Sequence, residues 1–383
     1  MRTDADYIRL ALRLAQRGYG TTSPNPMVGA VLVKHGEIMG SGWHHRAGAP
    51  HAEIEAIRAA QARNQRTTGA TLYVTLEPCC TQGRTPPCTD AIIAAGIKRV
   101  VASATDPNPR HAGKGFEILR DAGIEVTPGI LEPECSRLNE SFNHWIVHRT
   151  PLVTVKAAMT LDGKIATATR ESKWITGPES RDYSMKLRQG ADAILVGINT
   201  ILADDPGLTW RPAGRTVEHR LRRIVLDAQA RTPLEAKVVC DAYAALTTIV
   251  VGKAASRKRL AALASRVNVL EAPLRRPGRH EGSSAYPAID LPWLLRKLGT
   301  EEVTHLLVEG GGEVNASFLM EGLAQRIAFF YAPKIMGGLR ARHAVGGPGA
   351  RRLEEILDLR NLEWRRLGID WLLRARVGKH ELQ

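Results

Sequence analysis

The stretch His51-Ala52-Glu53, followed after a β-branched run (Thr71 to Leu76) by Pro78-Cys79-Cys80-Thr81-Gln82-Gly83-Arg84-Thr85-Pro86-Pro87-Cys88, decides how this sequence is read. His51, Cys79 and Cys88 offer one imidazole and two thiolates. A catalytic zinc ion takes three donors of this softness and keeps a fourth position open for water. Glu53 lies two residues past the histidine, out of reach of the same ion, but placed to take a proton from water and pass it to a leaving amine. The alternative is a closed structural site with Cys80 or another histidine as fourth ligand. Such a site has no need of a glutamate at a helix start, and the paired C-x2-4-C spacing is absent. Cys80 is expected to point away from the metal, and Cys135 and Cys240, lone and far apart, read as buried thiols without a role. Five cysteines, three of them within ten residues, do not make a disulfide framework and suit a reducing compartment.

Around this cluster the pattern alternates between short β-branched runs and helical apolar spacing, the mark of an α/β domain. Val28 to Val33, Thr71 to Leu76, Arg99 to Ser103 and Ile124 to Thr127 read as strands. Ala52 to Arg63, Thr89 to Ala95, Gly115 to Ala122 and Pro133 to His148 read as helices, and Arg149-Thr150-Pro151 then punctuates the chain. A boundary there gives domains 1–149 and 150–383. The alternation resumes with strands at Leu152 to Met159, Ala193 to Val196, Arg223 to Leu226, Thr248 to Val251, Val267 to Leu270 and His305 to Val308. Helices are expected at Glu179 to Arg188, Ala254 to Ala264 and Val314 to Glu321. Arg275 to Pro287, rich in Arg, Gly, Pro and Ser, reads as a surface loop.

A length of 383 residues suits two domains, and 44% hydrophobic with 24% charged residues excludes long disorder. No apolar run is long enough to span a membrane, and the start of the chain, with acids at Asp4 and Asp6, lacks a signal-peptide pattern, so a cytoplasmic protein is expected. The net charge of +14 suits an anionic partner. It divides unevenly, with 17 Lys+Arg against 14 Asp+Glu up to Thr150 and 36 against 25 beyond. A nucleic-acid partner is not expected, because aromatics are 5% of residues and do not interleave with the basic ones.

The order H-x-E, P-C, C is that of zinc-dependent nucleobase deaminases, with C-x-x-C lengthened to C-x8-C. Together with Ser23-Pro24-Asn25-Pro26-Met27-Val28-Gly29, Gly42-Trp43-His44, Gly83-Arg84-Thr85-Pro86-Pro87-Cys88 and Asp106-Pro107-Asn108-Pro109, it resembles the bifunctional riboflavin biosynthesis deaminase/reductases. The resemblance implies a cytidine-deaminase-like three-layer α/β domain. That domain would remove the 2-amino group of a diaminopyrimidine ribose 5'-phosphate by hydrolysis, with Zn2+ held by His51, Cys79 and Cys88 and with Glu53 as the catalytic acid and base. It also implies substrate contacts from Asn25 and His44, which on their own residues read as a turn asparagine between prolines and a satisfied loop histidine. Thr81-Gln82 departs from a common pattern of histidines at that point, which leaves Arg84 to supply a phosphate contact.

The second half resembles the reductase of the same family, whose fold is dihydrofolate-reductase-like. The resemblance rests on Lys156 to Lys164, Ser172 to Thr176, Arg188, Thr200 to Pro206, Leu208-Thr209, Arg211 and Glu309-Gly310-Gly311-Gly312. A GxGxxG fingerprint is missing, but the glycine run opens a helix directly after a strand, where backbone N–H groups can cradle a pyrophosphate. Carried over by position, Ala158, Trp174, Thr200, Asp204, Gly311 and Gly312 contact NADPH. Lys156, Ser172, Arg188, Leu208, Arg211 and Glu309 hold the substrate, and Arg188 and Arg211 have the fork geometry to grip its phosphate. Ala228 and Gln325 stand where relatives often carry Ser and Asp. The expected enzyme reduces the ribosyl group to ribityl after the deamination. Small phosphorylated pyrimidines are its expected partners, and a homo-oligomer is allowed. Two rivals remain open: a deaminase acting on nucleic acid, and a chain whose second half serves only for structure or dimerisation.

Overall fold

A computed structural model describes residues 2–109, 111–211, 221–275 and 288–378. The chain divides into two compact units, Met1–Arg149 and Thr150–Gln383. Among the described residues no helix is long and apolar enough to cross a membrane.

In the first unit, helix α1 (Asp4–Ala15) starts at a capping box in which Thr3 and Asp6 satisfy each other's backbone N–H groups, and it buries Tyr7, Ile8, Ala11 and Leu14. Strands β1 (Gly29–Lys34) and β2 (Glu37–Trp43) form an antiparallel hairpin. After helix α2 (Ala52–Gln61), β3 (Thr71–Leu76) pairs antiparallel with β1 and parallel with β4 (Arg99–Ala104), and β5 (Glu125–Thr127) closes the order β2-β1-β3-β4-β5. The strand register proves three layers. Gly29 abuts α1, where a Cβ would sit 2.0 Å from the Ala11 carbonyl oxygen, whereas Gly42, opposite Ala30 and so on the other face, abuts α2 at Glu55. Helix α3 (Cys88–Ala94) precedes β4 and α4 (Lys114–Asp121) follows it.

The single helix expected over Pro133 to His148 is two, α5 (Glu132–Leu138) and α6 (Glu140–His148). They break at Asn139, whose buried amide accepts the Met27 N–H at 2.7 Å and donates to the Met27 carbonyl at 2.9 Å. That long-range pair replaces helical continuity and ties down the loop carrying Asn25.

The second unit opens with β6 (Leu152–Thr160) and β7 (Lys164–Ala166), then α7 (Pro178–Gln189), β8 (Ala193–Gly197) and α8 (Ile198–Asp204). There follow β9 (Arg222–Leu226), α9 (Lys237–Cys240), β10 (Thr247–Gly252), α10 (Arg257–Ala264) and β11 (Asn268–Ala272). The short pair β12 (Leu274–Arg275) and β13 (Ala288–Ile289) leads through α11 (Leu291–Thr300) to β14 (His305–Val308) and α12 (Gly312–Met320). The last elements are β15 (Arg326–Ala332), β16 (Arg342–His343), β17 (Asp358–Leu367) and β18 (Asp370–Gly378).

Nine strands form one sheet in the order β11-β10-β9-β8-β14-β6-β15-β18-β17. The run from β11 to β15 is parallel, and β18 and β17 add antiparallel. Central strands such as β8, with every residue buried, read as continuous apolar runs because both sheet faces are covered. Fully burying Ile194 or Leu195 contributes about 1.5–3 kcal/mol each. From β8 the chain continues outward to β9, and from β14 it continues to the other side. The carboxyl ends of β8 and β14 are therefore the switch point where open α/β sheets bind ligands.

Several expectations are corrected. No strand was expected past Val308, yet β15, β17 and β18 make a third of the sheet. Arg275 lies in β12 and pairs with Glu321 at 2.7 Å, while 276–287 of the expected loop lie outside the described residues. Cys240 is exposed at the end of a single-turn helix, its thiol donating to the Glu235 carbonyl, whereas Cys135 is buried as expected.

Candidate functional site

In the first unit two helix starts and a strand end meet. His51 caps α2, Cys88 opens α3 after Pro87, and Pro78-Cys79 follows the end of β3. His51 Nδ1 lies 3.2 Å from Cys88 Sγ and 3.4 Å from Cys79 Sγ, and the Cys88 backbone N–H donates to Cys79 Sγ at 3.3 Å. The three ligand atoms lie within 4.8 Å of one another, and among the described residues no other such cluster occurs, so Cys80 stands outside it. One ion with bonds of about 2.0–2.3 Å can reach all three. The positive N-terminal ends of α2 and α3 favour negative charge at this point. Bonds from the Cys88 thiol, and then from His51, draw the Cys79 thiol well below its usual range.

Glu53, in the first turn of α2, is 3% exposed, and its Oε2 has no hydrogen-bond partner. Burial, then the nearby Cys79 sulfur, pushes its carboxyl up to about 7. An orphaned carboxylate oxygen beside an N,S,S donor set is what a site built for zinc and water would leave in the bare protein.

His44 Nδ1 is 3.0 Å from the Pro50 carbonyl oxygen. A carbonyl can only accept, which fixes the proton on Nδ1 and leaves Nε2 to accept from Asn25 Nδ2 at 3.1 Å. Burial lowers the His44 pKa and so favours the neutral ring. Asn25 therefore presents its oxygen, and its ring partner meets His51 edge-on at 5.2 Å between centroids. On the Cys80–Pro87 loop, Thr85 Oγ1 is 3.2 Å from His51 Nε2, the outer bond that orients a ligating imidazole. Arg84 is exposed on the same loop. Thr81 reaches His111 Nε2 at 2.9 Å, and that ring leans on Asp106 at 3.3 Å.

Glu77, which no sequence pattern marks, stands between the end of β3 and Pro78. Its buried carboxylate accepts three backbone N–H groups, those of Asp106 (3.0 Å), Gly113 (3.0 Å) and Gly115 (2.8 Å). It thereby fastens the approach to Cys79 onto the loop between β4 and α4.

In the second unit the register of β14 against β6 sets Val308 opposite Val155, so Glu309 and Lys156 are neighbours, with Lys156 Nζ 3.6 Å from Glu309 Oε2. Arg188, at the end of α7, donates from Nε and Nη2 to the two Glu309 oxygens at 2.8 and 2.9 Å, and from Nη1 to the Thr209 carbonyl at 2.9 Å. The fork expected to pair two phosphate oxygens is thus closed on Glu309. Burial opposes the Glu309 charge, but Arg188 and then Lys156 outweigh it and hold the carboxyl at about 2.

Ser172 Oγ donates to Asp204 Oδ1 at 3.0 Å, which brings two of the expected residues together at the end of α8, the helix that also carries Thr200. Ala158 lies on β6 opposite Phe330. Trp174 is 68% exposed under the Arg181 guanidinium, and Lys334 holds the Trp174 and Ile175 carbonyls. Leu208 is buried with a φ of +49°, so the surface it offers a ligand is its backbone, and Arg211 is exposed beyond it.

The glycine run divides. A Cβ at Gly310 would strike Val314, and one at Gly312 would sit 2.4 Å from the His343 carbonyl oxygen; only Gly311 opens on free space. Internal packing therefore demands the outer two. Beside Gly310, the buried Asn315 Oδ1 lacks a partner and fits a hydroxyl or N–H donor of a bound cofactor, while the α12 N-terminus fits its anionic part. One departure from the family pattern is absorbed locally, the Gln325 side chain accepting the Val153 N–H at 2.8 Å; nothing in the structure compensates for Ala228.

Residues 1–104 match the cytidine and deoxycytidylate deaminase zinc-binding region, and residues 151–373 match the RibD C-terminal domain. Riboflavin biosynthesis protein RibD of Aquifex aeolicus is 47% identical over 371 residues, 97% of each chain. The solved structure of Acinetobacter baumannii RibD superposes with a TM-score of 0.85 at 36% identity, covering 98% of this chain and 99% of that one. A diaminohydroxyphosphoribosylaminopyrimidine deaminase/5-amino-6-(5-phosphoribosylamino)uracil reductase from Thermotoga maritima gives 0.80 at 33% identity, with the same coverage.

Proposed function

The chain belongs to the RibD family of riboflavin biosynthesis, bifunctional enzymes joining a zinc-dependent deaminase to an NADPH-dependent reductase, and we propose how its own residues divide that work. The enzyme hydrolyses the 2-amino group of 2,5-diamino-6-(5-phosphoribosylamino)pyrimidin-4-one and then reduces the ribosyl to the ribityl side chain. We assign the first step to 1–149 and the second to 150–383.

The observation that carries the first assignment is the unpartnered Glu53 Oε2 beside His51, Cys79 and Cys88. These three residues hold the zinc, whose Lewis acidity makes water a nucleophile near neutral pH. Glu53 takes the proton that water loses as its oxygen bonds to the ring carbon, and gives it to the amine nitrogen, which leaves as ammonia. Asn25, fixed by His44, offers its oxygen to a ring N–H of the pyrimidine, and Arg84 faces the phosphate.

In the reductase, NADPH supplies the hydride. Gly311 and Gly312 at the start of α12 receive its pyrophosphate, and Trp174, Ala158, Thr200 and Asp204 line the rest of its path. The substrate rests on Lys156, Ser172, Glu309 and Arg188, whose Nη nitrogens each carry a second N–H beyond the bonds to Glu309 and Thr209. Arg211 grips the phosphate, and the Leu208 backbone borders it.

The enzyme works as a homo-oligomer in a reducing cytoplasm. The outer β17–β18 hairpin exposes Leu362, Trp364, Ile369 and Trp371, and a thiolate metal site with free cysteines suits that compartment. The test supplies the diaminopyrimidine phosphate and NADPH and follows ammonia and NADPH absorbance in one sample. Glu53→Ala silences both signals, and adding the deaminated intermediate restores NADPH oxidation. Ammonia release by Glu53→Ala at the normal rate would refute the deaminase assignment, and salt-sensitive RNA binding without pyrimidine turnover would favour an editing enzyme.

A further inference from the structure

Arg223, on β9, is the largest fully buried side chain among the described residues, at 0% exposure. A guanidinium leaves water at a cost that only complete pairing offsets. The pairing here is complete. Nε donates to Thr247 Oγ1 at 2.8 Å, Nη1 to Asp241 Oδ2 at 2.6 Å and to the Gly207 carbonyl at 2.9 Å, and Nη2 to Asp241 Oδ1 at 2.8 Å and to the Val238 carbonyl at 3.1 Å.

Thr247, Val238 and Asp241 belong to the scaffold around α9 and β10. Gly207 does not: it lies in the loop after α8 that carries Leu208 and Arg211. Two residues on, the Thr209 carbonyl is held by the nearly buried Arg188. Alternate carbonyls of one loop are thus drawn to two guanidiniums, and the residue between them, Leu208, takes a left-handed φ of +49° that a leucine adopts only when held. Asp205 is left-handed as well, at +40°, and its Oδ1 accepts the Lys237 N–H at 2.9 Å at the start of α9.

We propose that Arg223 is a positioning residue of the reductase. It never touches substrate, and its bond to Gly207 sets the backbone so that the Leu208 main chain and Arg211 face the ribosyl phosphate. The inference rests on the reading that this loop holds the substrate.

The test uses the full-length, zinc-loaded enzyme with the deaminated intermediate. Arg223→Met raises the KM for that intermediate about fivefold or more, while kcat stays within about twofold. NADPH affinity, read by fluorescence titration, and the rate of ammonia release from the diaminopyrimidine stay at wild-type values. Arg223→Lys recovers part of the KM. A KM unchanged within about twofold in a variant that merely melts earlier overturns the proposal. Should Arg223→Met fail to fold, Asp241→Asn, which loosens the guanidinium and keeps it buried, is judged by the same KM-against-kcat split. Arg211→Ala separates the two readings. If it leaves KM unchanged, the loop does not hold the substrate. If it raises KM and the Arg223 and Asp241 variants do not, only the positioning role fails.

Discussion

Glu53 and Glu309 are both carboxylates in nearly dry surroundings, and what surrounds each one sets its state. Glu53 has no cation of its own in the bare chain and an idle oxygen, so Glu53→Gln, which keeps the volume and removes the base, lowers ammonia release about 10²–10⁴-fold. Zinc content per chain, measured by a chromogenic chelator, stays at the wild-type value. Glu309 is held ionised by Arg188 and Lys156, with its pKa lowered from 4.5 to about 2. A carboxyl depressed on folding stabilises the fold above its unfolded pKa and loses that contribution as the pH falls through the folded one. Glu309→Gln therefore destabilises the second unit at pH 7 by an amount on the order of 3 kcal/mol, and the gap to wild type closes between about pH 4.5 and 2. Melting curves across that range check it; a gap that ignores pH would mean Glu309 is not ionised in the fold. His51, Glu53, Cys79 and Cys88 were legible in the sequence because metal chemistry demands particular donors at short spacing. Glu77 and Asn139 were not, since each is fitted to backbone groups far away in the chain, and no local pattern marks a side chain that caps someone else's N–H.

Helices and strands were legible where one face is apolar and the other is not. The strand β2, Glu-Ile-Met-Gly-Ser-Gly-Trp, hides because Gly40 and Gly42 stand where a β-branched residue would signal it, and they do so to let α2 lie directly on the strand. β17 hides for the opposite reason: most of its residues are exposed, and it exists through pairing with β18. Close approach also links α4 to the metal loop. A Cβ on Gly115 would sit 2.3 Å from the Pro78 carbonyl oxygen, next to the Glu77 carboxylate. Gly115→Ala accordingly pushes α4 off the Glu77-Pro78-Cys79 segment, costs about 1–3 kcal/mol, and weakens zinc retention against a competing chelator. An alanine variant that keeps its zinc as tightly as wild type would show that the loop moves without disturbing Cys79.

Two units with separate cores and separate cofactors should report separately in calorimetry. Stripping zinc lowers the transition of the first unit, whereas NADPH at a hundred times its Kd stabilises the second by about 2.7 kcal/mol. A single transition responding equally to both would contradict this independence. The chain divides at Arg149, where the Arg149-Thr150-Pro151 punctuation stands; the order of the nine-stranded sheet was not legible, because β6 finds its partners β14 and β15 about 150 to 170 residues later. The Glu77 carboxylate has a consequence in time as well as in space. All three metal donors have left the ribosome once Cys88 emerges from it, but the amides that anchor Glu77 belong to Asp106, Gly113 and Gly115. During synthesis the nascent chain passes through an interval in which it owns every ligand and lacks the finished site, so zinc capture waits on the emergence of α4, and a chain halted before Asp106 would hold the ion loosely.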